Sequence, residues 1–164
     1  MGVSGSGKST IDKLLAEHFR WEFRDGDRLH SAESISRMAG GHALSDAERL
    51  PWLRAVGESL IAFHKDEAGV VIACSALKRS YRDVLREYVD DIFFVFLDGP
   101  LDVVEKRIAN RNHEFMPPSL LASQYLSLEP LDPDELGIRA DIGQTRTQIV
   151  DQIEATLRTT VATE

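Results

Sequence analysis

The first ten residues, Met1-Gly2-Val3-Ser4-Gly5-Ser6-Gly7-Lys8-Ser9-Thr10, constrain this chain more than any other stretch. They fit G-x-x-x-x-G-K-[ST] without a mismatch, Gly2 and Gly7 framing four residues ahead of Lys8 and Ser9. Glycines take positive φ and carry no Cβ, so successive backbone N–H groups can turn inward around a phosphate. Lys8 can then reach the β- and γ-phosphates, and Ser9 can offer a hydroxyl to Mg²⁺ where a helix begins. The continuation Ile11-Asp12-Lys13-Leu14-Leu15-Ala16 sets Ile11, Leu14 and Leu15 on one helical face, which a flexible Gly/Ser leader has no reason to do. The stretch implies a cradle for a nucleoside triphosphate.

Downstream, strand and helix signals alternate. Phe19 to Arg24 alternates apolar and polar and stops at Asp25-Gly26-Asp27, a short strand whose carboxyl end delivers two acids. Ligands of open α/β sheets sit at such ends, and phosphoryl transfer needs acidic groups near Mg²⁺ and the accepting hydroxyl. A plain Asp-Gly turn reads the same way from composition alone. Residues 28–52 look irregular, with a short helix at Glu33–Met38 and a second helix starting near Ser45. His30 and Trp52, taken singly, read as structural and core residues.

The runs Val70–Cys74 and Ile92–Leu97 are continuously apolar, as strands buried on both faces of a parallel sheet are. The first leads into a helix in which Lys78 and Arg82, four apart, are expected to share a face at the strand's carboxyl end and bind an anion. After the second, a helix from Leu101 carries Arg107 and Arg111; Asn112–Pro118 breaks it, and another helix runs from Ser119 to Leu128. That helix–break–helix, with arginines, is the pattern of a phosphate-covering lid at about 111–124. A last strand is expected at Ile138–Ile142 and a closing helix from Thr145. At 164 residues, without repeats or linker, this is one α/β sandwich domain. The net charge of −8 argues against a nucleic-acid or anionic-membrane surface, so an anionic substrate needs a local basic pocket. The single cysteine, Cys74, allows neither an internal disulfide nor a cysteine metal site.

Read together, these motifs resemble the bacterial gluconate kinases of the shikimate-kinase-like P-loop group. The resemblance rests on the phosphate loop, Asp25-Gly26-Asp27 with Leu29-His30, and the string Gly41, Leu44, Asp46, Arg49, Pro51-Trp52-Leu53. It rests also on Cys74-Ser75-Ala76-Leu77-Lys78 with Tyr81-Arg82, on Arg107 and Arg111, on Phe115-Met116-Pro117, and on Ser123-Gln124 with Leu128-Glu129-Pro130. It implies a three-layer α/β/α P-loop sandwich with a parallel sheet, and ATP-dependent phosphorylation of D-gluconate by a cytoplasmic homodimer that uses Mg²⁺. By position, Gly2, Ser4, Gly5, Ser6, Gly7, Lys8, Ser9 and Thr10 would hold the nucleotide, with Ser9 and Asp25 near the metal. Asp25, Asp27, His30, Lys78, Arg82 and Gln124 would contact the sugar acid. Lys8, Asp27, Arg107 and Arg111 would serve catalysis. A shikimate or nucleoside monophosphate kinase, or an ATP-binding module without turnover, are the alternatives that the P-loop alone leaves open.

One expectation concerns the start. A P-loop normally follows a buried strand at the centre of the sheet, here between the runs at 70–74 and 92–97, yet only Met1 precedes Gly2. An unfilled central position separates its neighbours by roughly 9–10 Å. The expectation is that Met1 is internal to a longer natural chain, preceded by about five to ten apolar residues rich in valine and isoleucine.

Overall fold

The computed structural model describes residues 1–64, 69–109 and 118–161. The phosphate loop opens into α1 (Lys8–Phe19), followed by β1 (Glu22–Asp25), a 3₁₀ turn (Gly26–Leu29) and α2 (Ala32–Ala39). Next come α3 (Asp46–His64), β2 (Val70–Ala73), α4 (Arg79–Arg86), β3 (Phe94–Asp98) and α5 (Leu101–Ala109). The chain closes with α6 (Pro118–Ser127), β4 (Gly137–Asp141) and α7 (Arg146–Val161). The expected strands and helices are all present within a few residues of where the patterns place them. The lid break at 112–117 and Arg111 lie outside the described residues.

Local chemistry sets the ends that matter for the site. The long helix α3 begins on a capping box: the Ser45 hydroxyl and backbone N–H both donate to Glu48, and Glu48 N–H returns a bond to Ser45 Oγ. Helix α1 begins on Gly7 in the left-handed region, with no side-chain cap.

β1 pairs in parallel with β2, Asp25 opposite Ala73, and β3 pairs in parallel with β4, Asp98 opposite Asp141. Side chains along β3 alternate between two cores. Val95 and Leu97 join Val3, Ile11, Leu15, Ile149 and Ile153 on the α1–α7 side. Phe94 and Phe96 join Trp52, Leu53, Val56, Tyr81 and Leu85 on the α3–α4 side. Period-two alternation into two apolar layers is the signature of a sheet covered on both faces.

Among the described residues β2 and β3 share no ladder; the two pairs remain separate two-stranded sheets. The position between them is held at its carboxyl end by Met1 and Gly2. The Met1 amino group donates to Val95 O, Leu97 N–H donates to Met1 O at 3.0 Å, and Gly2 N–H donates to Ser75 O at 3.1 Å. Below Met1 lies an apolar cavity of about 360 Å³, lined by Leu15, Val56, Leu60, Val71, Ile72 and Phe94 among others. The flanking strands thus do not collapse onto one another.

Candidate active site

The phosphate loop is braced from several sides before any ligand arrives. Gly2, Gly5 and Gly7 have φ of 136°, 81° and 107°. At Gly5 a side chain is also sterically excluded, because a Cβ would lie 2.6 Å from Ile108 Cγ1. Lys8, buried under the loop, donates from Nζ to Gly2 O at 2.9 Å and Val3 O at 3.0 Å. Arg107, in the last turn of α5, donates to Ser6 O at 3.1 Å and Ile142 O at 2.7 Å. Gln124 of α6 accepts the Ser4 N–H at 2.7 Å. The loop is therefore held in its ring shape by α5, α6 and its own lysine, and catalytic preorganisation of this kind spares the reaction a reorganisation cost.

Facing the loop is the acidic turn. Asp25 ends β1, and its carboxylate caps the 3₁₀ turn by accepting the Asp27 N–H at 3.2 Å. The residue between the acids is necessarily glycine: a Cβ on Gly26 would sit 2.6 Å from Ala73 O of the neighbouring strand. Trp52, buried in α3, donates its indole N–H to Gly26 O at 2.7 Å. Its ring stacks on His30, centroids 4.3 Å apart and planes 11° apart. Burial holds the His30 imidazole down at a pKa of about 4, helped by the positive charge of Arg49, so it is neutral at physiological pH. Its Nδ1 is buried without a partner. Asp27 has its pKa raised by burial, reinforced by the charge of Asp25 and opposed by that of Lys8.

These groups line one cavity of about 800 Å³. Ser4, Gly5 and Lys8 form one wall; Asp25, Asp27 and His30 form another; Arg49 of α3, Ser75 beyond β2, and Ser123 and Gln124 of α6 complete it. A triphosphate cradle and an acidic acceptor side thus share one space, the arrangement that in-line phosphoryl transfer requires.

The chain matches the shikimate kinase family model over residues 4–125. It is 40% identical over 153 residues to the thermosensitive gluconokinase of Escherichia coli K12, covering 93% of this chain and 82% of that one. It is 43% identical over 139 residues to the gluconokinase of Gluconobacter oxydans 621H, covering 85% and 78%. Among solved structures, a gluconokinase from Sinorhizobium meliloti 1021 superposes with a TM-score of 0.87 at 43% identity, covering 96% of this chain and 89% of that one. This chain belongs to the gluconokinase family. A sugar kinase from Janibacter sp. HTCC2649, in an unliganded structure, gives a TM-score of 0.93 at 45% identity, covering 96% and 91%.

Two expected site residues of this gluconokinase-family chain stand elsewhere. Lys78 precedes α4 with extended backbone, φ −98° and ψ 152°, so it shares no helical face with Arg82. Its Nζ lies 2.8 Å from both carboxylate oxygens of Asp46, outside the cavity wall. Arg82 points the other way into the protein, where Glu135 and the carbonyls of Glu129 and Pro130 take its guanidinium. It clamps the 129–135 segment and does not reach the cavity. Conversely, Arg49 lines the cavity and Trp52 backs it from α3, although the sequence pattern gives neither a site role. They sit three apart on α3, a spacing that places them on neighbouring parts of one helix face but does not by itself mark a site.

Proposed function

We propose that the protein transfers the γ-phosphoryl group of ATP to the terminal hydroxyl of D-gluconate, giving ADP and 6-phospho-D-gluconate. The observation that carries this reading is the shared cavity: the phosphate loop on one wall, Asp25 and Asp27 on the facing wall, and a cationic Arg49 beside them. ATP would lay its β- and γ-phosphates against the loop amides and Lys8. The sugar acid would enter on the acceptor side with its hydroxyls toward Asp27 and His30 and its carboxylate toward Arg49. Asp27 orients the terminal hydroxyl and takes its proton as the new P–O bond forms and the bond to the β–γ bridging oxygen breaks. Partial desolvation in the cavity raises the Asp27 pKa and makes it a better proton acceptor than an ordinary aspartate. Arg107, already bonded to the loop at Ser6 O, holds the loop's shape, and Arg111 would complete charge neutralisation from the lid segment.

The residues present suit a hard cation held mostly by the nucleotide. Among the described residues no group of three or more His, Cys, Asp or Glu side chains converges on a metal site. Ser9, exposed in the first turn of α1, and Asp25 offer oxygen donors only, the ligand type Mg²⁺ takes while keeping several waters. Bound there, Mg²⁺ would neutralise charge on the β- and γ-phosphates. No helix among the described residues is long and apolar enough to cross a membrane. A cytoplasmic homodimer is the assembly we infer from the resemblance.

The test is a coupled assay with ATP, Mg²⁺ and a panel of gluconate, related sugar acids, shikimate and nucleoside monophosphates. Turnover confined to gluconate supports the reading. Preference for another acceptor moves the substrate, and ATP binding without turnover of any acceptor overturns it.

A further inference from the structure

We propose that Trp52 is a positioning residue for phosphoryl transfer, one indole fixing both the acidic turn and the imidazole that meet the sugar acid. The inference rests on the acceptor-side reading above and adds a residue to it. Trp52 is 3% exposed, which by itself describes an ordinary core side chain. Beyond its packing in the α3–α4 core, it makes two specific contacts. The indole N–H reaches Gly26 O at 2.7 Å, the carbonyl between the two acids. The ring face lies parallel to His30 at 4.3 Å.

Asp25 also braces this turn, its carboxylate accepting the Asp27 N–H at 3.2 Å. Its start is pinned by β pairing of Asp25 with Ala73, and its end by the His30 N–H donating to Asp27 O at 3.3 Å. Between these, Trp52 holds the carbonyl of the Gly26–Asp27 peptide that aims Asp27, while Asp25 holds its N–H. The same indole sets the plane of His30, whose Nδ1 is buried without a partner in the protein. Because Trp52 lies one turn beyond Arg49 on α3, the helix that carries the cation also sets the acid and the imidazole. The three groups thus keep one geometry, as positioning within a fraction of an ångström demands.

The charged residues sharing the cavity with the imidazole are Arg49 from α3, Lys8 from the phosphate loop, and Asp25, Asp27 and Arg28 from the turn. Helices α2 and α6 add Ile35, Met38, Ser123 and Gln124, none of which titrates in this range. His30 therefore reports the state of the stack.

The experiment compares Trp52→Phe, which keeps a ring and loses the N–H, with Trp52→Leu, which loses both. Each full-length variant is assayed for melting temperature, kcat, KM for ATP and KM for gluconate, and its His30 imidazole is titrated by NMR. Loss of one buried hydrogen bond corresponds to about tenfold, so Trp52→Phe should lower kcat about tenfold with ATP KM within twofold. Trp52→Leu should in addition raise gluconate KM and move the His30 titration from about 4 toward its ordinary value of 6.5. A Trp52→Phe enzyme with wild-type kcat overturns the proposal. So does a loss in which ATP and gluconate parameters fall together with melting temperature, or a His30 titration that Trp52→Leu leaves unmoved. If wild type itself does not turn over gluconate, the substrate reading fails separately, while the titration in the free protein still decides whether the stack orders the imidazole.

Discussion

Arg82 and Glu135 form an ion pair from which solvent is wholly excluded. Both side chains are 0% exposed, with Nε to Oε1 at 2.6 Å and Nη2 to Oε2 at 2.7 Å. The bidentate fork is completed by main-chain carbonyls of Glu129 and Pro130 and by the Asp132 N–H on Glu135 Oε2. Removing one partner of such a pair costs up to about 3–5 kcal/mol, lessened here because Arg79 and Arg86 each lie 3.9 Å from a Glu135 oxygen. Arg82→Met should therefore lower stability by up to that order, and Arg82→Met with Glu135→Leu should recover much of it. Chemical denaturation of the three proteins measures both. The fraction of Arg82→Met that folds should keep a wild-type gluconate KM, because the guanidinium does not touch the cavity; a large selective rise in that KM would restore Arg82 as a substrate ligand.

The acid that orients the hydroxyl gives the second test. Asp27→Asn keeps the size of the side chain and removes the charge and the proton acceptor. Removing one preorganised electrostatic group typically costs about 10²–10³ in kcat. ATP KM should stay near wild type, since the loop is braced by Lys8, Arg107 and Gln124 and not by Asp27. In wild type, activity should rise with pH as Asp27 loses its proton, and that limb should lie above the range of an ordinary aspartate. Steady-state kinetics across pH decide it. An Asn variant within a few-fold of wild type would transfer the role to Asp25.

Arg49 lines the cavity, whereas Lys78, the residue expected to meet an anion, does not. The Arg49 Nε donates to Leu44 O at 3.2 Å, and its charge reaches His30. Lys78 is engaged by Asp46, whose carboxylate also accepts from Tyr81 OH at 2.5 Å. Arg49→Met should raise gluconate KM by about ten- to a hundredfold, the loss expected when a charged hydrogen bond to a carboxylate disappears. Lys78→Met should change it by no more than about threefold, as expected for an exposed pair remote from the substrate. The reverse ranking would return the carboxylate to Lys78.

The sequence made the phosphate loop and the strand runs at 70–74 and 92–97 readable because each is a local pattern: glycine spacing in one case, unbroken apolar residues in the other. The Lys78–Arg82 pairing failed for an equally local reason. A spacing of four implies a shared face only inside a helix, and the chain between β2 and α4 passes through Ala76 at φ 38° and stays extended at Lys78. The true partner of Arg82 lies 53 residues away, at a distance no periodicity encodes. Trp52 was hidden differently. A buried aromatic on an amphipathic helix carries the same pattern whether it fills a core or holds a catalytic turn, and only its N–H on Gly26 O separates the two.

The last prediction concerns Asp12, an acid of α1 that chemistry at the site does not use. It is 4% exposed and lines the apolar cavity between the two strand pairs. Burial lifts its pKa from 3.8 to about 6, opposed by the charges of the Met1 amino group and Lys8. The sign follows from linkage. An acid whose pKa is higher in the folded state than in the unfolded one holds its proton more tightly when folded. Its penalty is absent below the unfolded value of 3.8, grows as pH rises toward about 6, and is constant above that. A shift of about two units corresponds to roughly 3 kcal/mol. Asp12→Asn, which keeps the shape without the charge, should thus melt higher than wild type at pH 7.5, and the difference should shrink toward zero near pH 4. Paired thermal melts across that range measure it. An Asn variant that is less stable at pH 7.5 would mean that the attraction of Asp12 to the Met1 amino group and Lys8 outweighs the burial of its charge.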